Sequence, residues 1–299
     1  MPKRFLRLIA RAFARKPSRP SQPCLFPAGH FYSPIADLRD IRSRADKIWK
    51  KTREFPGIDW REEQQLALLN EIASYIPDID FPVNKPDDPT RYYYENDQFP
   101  GLDAEFLHAL IAHTKPKRYI EVGSGFSSLI TAEANRKLFA SSLEVTCIEP
   151  YPRQFLIDGI PGISRLVGER VEDVDVSLFS ELVSGDILFI DSSHVSKVGS
   201  DVNHLFFEVI PRLNPGVLIH IHDIFLPNEY PRKWVIDQGR HWNEQYLVRA
   251  FLQFNRSFEI VWAAAYMIEF HSDRLMKVFP RFPRLGGGGS LWLRRVDER

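Results

Sequence analysis

Two short runs in this chain carry the residue types needed for proton transfer and cation binding: Asp191-Ser192-Ser193-His194 and His222-Asp223. Each follows an apolar run of strand length, Asp186–Ile190 and Gly216–Ile221. In an open α/β sheet, ligands sit outside the carboxyl ends of the strands, so Asp191, His194, His222 and Asp223 are expected to converge in one crevice. Two carboxylates and two imidazoles gathered there can hold a hard divalent cation such as Mg2+. A histidine with a near-neutral pKa can also take the proton from a hydroxyl. The plainer roles are a ligand hydrogen bond for Asp191 and packing for His194; His220 reads as a buried sheet residue.

A second feature is the turn Glu121-Val122-Gly123-Ser124-Gly125-Phe126-Ser127-Ser128, set between a strand and a helix. Its glycines allow a tight turn and a close ligand approach, and the helix start that includes Ser127 points unpaired N–H groups toward the ligand. A dinucleotide fingerprint would have a third glycine where Ser128 stands, so a pyrophosphate is poorly supported. Glu121 suits a ligand ammonium group. Glu149 ends the next strand and can accept both hydroxyls of a ribose.

The elements that must position these residues follow from hydrophobic periodicity. Strands are expected at Arg118–Val122, Leu143–Ile148, Ser164–Val167, Asp186–Ile190, Gly216–Ile221, Phe258–Ala264 and Ser290–Leu293. Helices are expected at Ala104–His113, Ser127–Leu138, Val174–Val183, Val198–Arg212 and Tyr246–Phe254. This alternation implies an α/β fold with a doubly wound, mostly parallel seven-stranded sheet, the last two strands forming an antiparallel edge hairpin. Residues 35–100 read as a mostly helical N-terminal cap, and residues 1–34 as a basic amphipathic tail and linker. Trp234, Trp242 and their loop are expected either to meet an acceptor or to pack on the sheet. Tyr92, Tyr93, Tyr94 and Asn96 either close over a cofactor or pack in the core, and Gly286–Gly289 reads as a structural turn.

Composition excludes several classes. Lysine plus arginine (39) equals aspartate plus glutamate (39), so no overall charge argues for nucleic acid. The two cysteines, Cys24 and Cys147, make no metal-type spacing and no disulfide framework, which fits a cytoplasmic setting. The longest apolar candidates, such as Val261–Ile268, are strand-sized and far below the ~20 residues of a membrane span. Residues 3–16 alternate arginines with apolar positions at helical spacing. That pattern suits peripheral contact with an anionic membrane and equally a disordered basic tail or a transit peptide.

With these runs in view, E-V-G-S-G followed by C-I-E-P resembles motif I and the acidic loop of class I S-adenosylmethionine-dependent methyltransferases. The resemblance implies a Rossmann-like methyltransferase domain over residues 101–299. It implies that Glu121, Gly123, Gly125 and Ser127 hold the methionine part of the cofactor, that Glu149 holds the ribose, and that Glu169 and Arg170 line the adenine pocket. D-S-S-H with H-I-H-D-I-F-L-P resembles a bacterial subfamily linked to glycan and secondary-metabolite modification and, more distantly, the macrolide-sugar O-methyltransferases. Carried over, Asp191 and Asp223 become metal ligands and His194 the base that deprotonates a hydroxyl of a small-molecule or glycan acceptor. Where catechol O-methyltransferase has an asparagine after the second acid, this chain has Ile224, and His222 stands in for the missing ligand. Two other readings use the same residues. A non-haem iron oxygenase would take Asp191, His194 and His222 as a facial triad, and a non-catalytic scaffold would bind the cofactor without turnover.

Overall fold

The computed structural model describes residues 24–52, 54–96 and 98–297. The basic amphipathic run at residues 3–16 lies outside them. Contacts among the described residues divide the chain after Ala45 into two compact units. The first unit includes the short helix Leu38–Ser43, whose N-cap Asp37 accepts a hydrogen bond from the Arg39 N–H. Among the described residues, no helix is long and apolar enough to cross a membrane.

The second unit begins its regular structure with α1 (Glu62–Ile72) and α2 (Gly101–Thr114), followed by β1 (Arg118–Val122), α3 (Phe126–Phe139), β2 (Glu144–Ile148), β3 (Arg165–Val167), β4 (Ile187–Ile190) and β5 (Leu218–Ile221). It closes with α4 (Glu244–Leu252), β6 (Phe258–Ala263), α5 (Ala264–Val278) and β7 (Leu291–Arg295). The seven strands form one sheet in the order β3-β2-β1-β4-β5-β7-β6. β7 runs antiparallel to both its neighbours, β5 and β6, and the other pairings are parallel. Every residue of β4 and β5 is buried, as expected of parallel strands covered on both faces. The first twelve residues of α2, Gly101–Ala112, are likewise all buried, which explains its nearly continuous apolar sequence. Between α1 and β6, the buried Gln65 carboxamide oxygen accepts a hydrogen bond from the Ala263 N–H at 2.8 Å.

The register sets up the site. Val122 of β1 pairs with Ile148 of β2 and Ile190 of β4, and Ile190 pairs with Ile221 of β5. The next residue of each chain segment is therefore level with the others: Gly123, Glu149, Asp191 and His222. Between β1 and β4 the chain order reverses, which is where an open α/β sheet opens its ligand crevice. Because β7 runs the other way, with Leu291 opposite Ile221, its entering segment Gly286–Ser290 arrives at this same end.

The strands lie within two residues of their expected bounds. The helices depart more. Val174–Val183 reduces to the turn Ser177–Ser180, started by Asp175, whose carboxylate accepts from the Ser177 N–H. The stretch expected from Val198 starts at Asp201, because Gly199 takes φ +69° and the Ser200 hydroxyl caps the Asn203 N–H. It continues through a π turn at Leu205–Val209. Helix α5 was not expected: the apolar run Val261–Ile268 spans the end of β6 and the start of α5, so periodicity blurs the boundary. The antiparallel pair at the end of the sheet is thus joined through helix, with β7 inserted between β5 and β6.

Candidate active site

A cavity of about 670 Å³ opens at the carboxyl ends of the parallel strands. Gly123, Gly125, Ser127, Glu149, Asp191, His194, His222 and Asp223 all line it. Glu121, Glu169 and Arg170 do not.

On one side stands the glycine turn. Gly123 has φ +82°, and a Cβ there would lie 1.8 Å from the Asp191 carbonyl oxygen, so the turn closes against β4 only with glycine. A Cβ on Gly125 would meet nothing within 4 Å, which leaves an open face beside the first N–H groups of α3. The Gly125 N–H donates to the Ser128 hydroxyl at 3.0 Å, and the Ser127 and Ser128 hydroxyls donate to Glu121 Oε1 at 2.6 and 2.8 Å. Glu121 is thus fully buried behind the turn and fixes its shape rather than facing the cavity. Burial lifts its carboxyl to about 8, against the opposing pull of the two serine hydroxyls.

Glu149 accepts the Tyr151 N–H at 2.7 Å at the cavity edge. Burial raises its pKa, while that bond and one from the Ser124 backbone oppose the rise. Glu169 and Arg170 are exposed on the loop after β3. Arg170 reaches Tyr151, which does line the cavity, and that hydrogen bond raises the guanidinium pKa.

Opposite the turn, His194 is 5 % exposed and takes the left-handed φ of +61°. Such a backbone in a non-glycine residue persists only when its surroundings hold it. Here the Asn243 and Glu244 N–H groups donate to the His194 carbonyl at 3.1 and 3.2 Å, and Asp201 accepts from both the N–H and the hydroxyl of Ser193. The ring is held as firmly. Its Nδ1 lies 2.9 Å from Glu244 Oε2, its Nε2 lies 3.2 Å from Asp191 Oδ1 and 3.6 Å from Asp223 Oδ2, and the Trp242 ring stands 4.3 Å away. Burial disfavours the imidazolium, but Asp191 and Glu244 outweigh it and lift His194 to about 10. Burial likewise opposes ionisation of Asp191, yet the positive charges of His222 and His194 keep its carboxyl below the ordinary range. Asp223 is shifted up, by burial first.

Asp191, His194 and Asp223 offer donor atoms within 4.8 Å of one another. His222 is not in that group; its Nε2 lies 3.7 Å from Asp223 Oδ1 and its ring packs against Phe99 at 4.8 Å. The cluster is therefore two carboxylates and one imidazole, not the two imidazoles and one carboxylate of an iron facial triad. His220 is a sheet residue, as expected, stacked on Phe189 at 3.9 Å.

Several residues important to this geometry were not assigned a role from sequence. Glu244, fully buried at the start of α4, orients His194. Gln245 pins the loop after β5 by accepting the Phe225 N–H and donating to the Asn228 carbonyl. Asp103 in the first turn of α2 accepts the Gly288 and Ser290 N–H groups at 2.7 and 3.1 Å and so makes the glycine run before β7 a cavity wall. None has a local signature, since each matters only through a contact with a distant segment. The aromatic stretch resolves toward packing: Tyr92 and Tyr94 are buried, with hydroxyls donating to the Phe99 carbonyl and to Glu105. Asn96 accepts from the Gln98 and Phe99 N–H groups and shapes the loop that brings Phe99 to the cavity.

Residues 120–224 match the model of a family described as a methyltransferase domain. A protein of Archaeoglobus fulgidus described as uncharacterized is 40 % identical over 163 residues, covering 53 % of this chain and 74 % of its own length. This chain belongs to that protein's family. The segment that matches the methyltransferase-domain model runs from β1 to just beyond β5 and includes the glycine turn, Glu149 and the Asp191–His194–Asp223 cluster but not the outer wall after Ile224. Among solved structures, the SAH-bound methyltransferase PaMTH1 of Podospora anserina is similar at 15 % identity and TM-score 0.42, covering 92 % of this chain and 100 % of that one. An O-methyltransferase of Bacillus cereus in complex with SAH is similar at 12 % identity and TM-score 0.38, covering 86 % and 97 %. Likeness at that level says nothing of cofactor or substrate.

Proposed function

We propose that this protein transfers a methyl group from S-adenosylmethionine to a hydroxyl of a small-molecule or glycan acceptor. The observation that carries the reading is one cavity with the open Gly125 turn and Glu149 on one side and His194, bracketed by Glu244 and Asp191, on the other. When bound, S-adenosylmethionine supplies an electrophilic methyl on a positively charged sulfur. The N–H groups at the start of α3 and the Glu149 carboxylate suit its polar ends. The transfer forms an O–CH3 bond and breaks an S–CH3 bond, the electron pair staying on sulfur, while the hydroxyl proton passes to His194 Nε2. Glu244 accepts from Nδ1–H and so leaves Nε2 as the nitrogen facing the acceptor. Against the cost of burial, Asp191 and Glu244 keep the ring protonated at neutral pH. Positive charge brought beside Asp191 disfavours the imidazolium and frees Nε2 to act.

A second reading is favoured by the three-donor cluster, which suits a hard divalent cation such as Mg2+. Such an ion would take Nε2, because Nδ1 faces Glu244, so metal ligation and proton acceptance compete for one nitrogen. Calorimetry with S-adenosylhomocysteine, with and without Mg2+, followed by turnover of His194→Ala, tests both. We expect cofactor affinity unchanged by His194→Ala, a loss of about 10²–10⁴ in methyl transfer, and no effect of a chelator. Turnover abolished by a chelator would move His194 from base to ligand. The absence of any binding of S-adenosylhomocysteine would remove the proposal altogether.

A further inference from the structure

The outer wall of the cavity contains a cation that the methyl-transfer reading does not use. Arg240 lines the cavity with its guanidinium carbon 4.0 Å from the Trp234 ring centre and 4.6 Å from that of Trp242. The two indoles stand 5.3 Å apart at 78°, and Phe225 meets Trp234 edge-on at 5.1 Å. Gln245 ties the loop bearing Phe225 to α4, so the clamp rests on a fixed support.

The guanidinium packs into the corner of the two nearly perpendicular indoles, and contact with a ring face spends none of its five N–H donors on a hydrogen bond. Among the described residues, the Arg240 side chain makes no hydrogen bond and no ion pair; only its backbone N–H is engaged, donating to the Trp234 carbonyl. The carboxylates that line the cavity are committed elsewhere. Asp103 holds the Gly288–Ser290 backbone, Glu149 holds the Tyr151 N–H, and Asp191 and Asp223 face His194. A clamped, always-charged fork with free donors is prearranged for a planar or tetrahedral oxyanion. It also lies close to the chemistry, because the Trp242 ring that Arg240 covers is the one 4.3 Å from His194.

We propose that Arg240, clamped by Trp234 and Trp242, is an anion subsite for the acceptor, so that the acceptor carries a carboxylate or phosphate a few bonds from the hydroxyl that is methylated. In calling the bound group an acceptor, this rests on the methyl-transfer reading; the subsite itself is tested without turnover. The indole faces would flank the body of such a molecule while the fork takes its charge, a division of labour suited to an acidic sugar or a sugar phosphate.

The test is calorimetric titration of the full chain with glucuronate, glucose 6-phosphate and uncharged glucose, in separate runs with and without S-adenosylhomocysteine. At least one anionic probe should bind, with glucose at least about tenfold weaker. Arg240→Met, which keeps apolar bulk against the indoles, should lose about tenfold or more in anion affinity, as expected for hydrogen bonds to a charged group. Arg240→Lys should fall between, keeping the charge without the fork. Lys233→Gln, an exposed neighbour, should match the wild type. Unchanged S-adenosylhomocysteine affinity and melting temperature in Arg240→Met would exclude misfolding as the cause. The subsite is overturned if neither anion binds, if glucose binds as well as they do, or if Arg240→Met binds them like the wild type. Anion binding lost in Arg240→Met, together with no S-adenosylhomocysteine binding, would keep the subsite and discard the methyl-transfer reading.

Discussion

The two sides of the cavity are built on different plans. The side at Gly123–Gly125 and Glu149 is made by consecutive residues at the ends of adjacent parallel strands, and its shape is local, set by the backbone of the turn with Glu121 holding the nearby Ser127 and Ser128 hydroxyls. The other side is assembled from the ends of β4 and β5, the start of α4, the loop after β5 and the glycine run before antiparallel β7. Its shape rests on side-chain contacts across long stretches of sequence, such as His194 with Glu244 and Asp103 with Gly288. A backbone-built half is suited to one constant ligand, whereas a wall held by side chains and loops can be altered residue by residue without disturbing the sheet.

If that division holds, damage to one half should leave the other working. The largest expected effect on cofactor binding is on the backbone-built side. Glu149→Ala removes a carboxylate positioned for charge-assisted hydrogen bonds worth about 1.5–3 kcal/mol each. S-adenosylhomocysteine affinity measured by calorimetry should therefore fall by about tenfold or more, while anion binding at Arg240 stays at the wild-type level. Equal losses of both would show that the halves are coupled and break the comparison.

The same division explains what could be read in advance. The seven strands, the glycine turn and the convergence of Glu149, Asp191, His194 and Asp223 follow from patterns that are local in sequence: apolar runs, a turn between strand and helix, and acidic or imidazole residues just past a strand end. Glu121 is also an acid beside the glycine turn, yet it lies within β1 and its side chain turns away from the cavity to the Ser127 and Ser128 hydroxyls. Glu169 and Arg170, expected in an adenine pocket only from the resemblance, lie on an exposed loop, and only Arg170 approaches the cavity, through Tyr151. Glu244 was hidden for a different reason. A glutamate in the first turn of a helix usually faces water, and nothing nearby in sequence announces that His194, fifty residues earlier, comes to meet it. Helix α5 was obscured because its first turn continues the apolar run of β6.

Glu244→Gln sharpens the comparison on the second side. The amide can still accept from Nδ1–H, so the ring stays in place, but the negative charge is gone. Removing it lowers the His194 pKa, because Glu244 is one of the two groups that raise it. If His194 is the base, the acid limb of the kcat/KM profile should move to lower pH. On the high-pH plateau, where the ring is deprotonated in both proteins, we expect the weaker base to lower kcat by about tenfold with S-adenosylhomocysteine affinity unchanged, within the range of general-base effects. A loss of cofactor affinity equal to the loss of kcat would instead show that Glu244 supports the backbone-built half, and the proposed independence would fail.

A separate effect concerns the buried acid behind the glycine turn, and it reads stability rather than turnover. Glu121 is raised from an ordinary carboxyl value to about 8 by burial. A carboxyl whose pKa is higher in the folded state holds its proton there while the unfolded chain releases it. Its stabilising contribution is complete below the unfolded pKa and is lost as pH rises through the folded one. Between about pH 4.5 and pH 8, this group alone should therefore lower stability with a slope approaching 1.4 kcal/mol per pH unit. Glu121→Gln keeps an acceptor for the Ser127 and Ser128 hydroxyls but cannot ionise. The difference in unfolding free energy between wild type and variant, followed by denaturant titration across that window, should move in favour of the variant as pH rises. A difference independent of pH would mean that Glu121 is already ionised in the folded chain, and that the turn is held by a buried carboxylate rather than by a protonated acid.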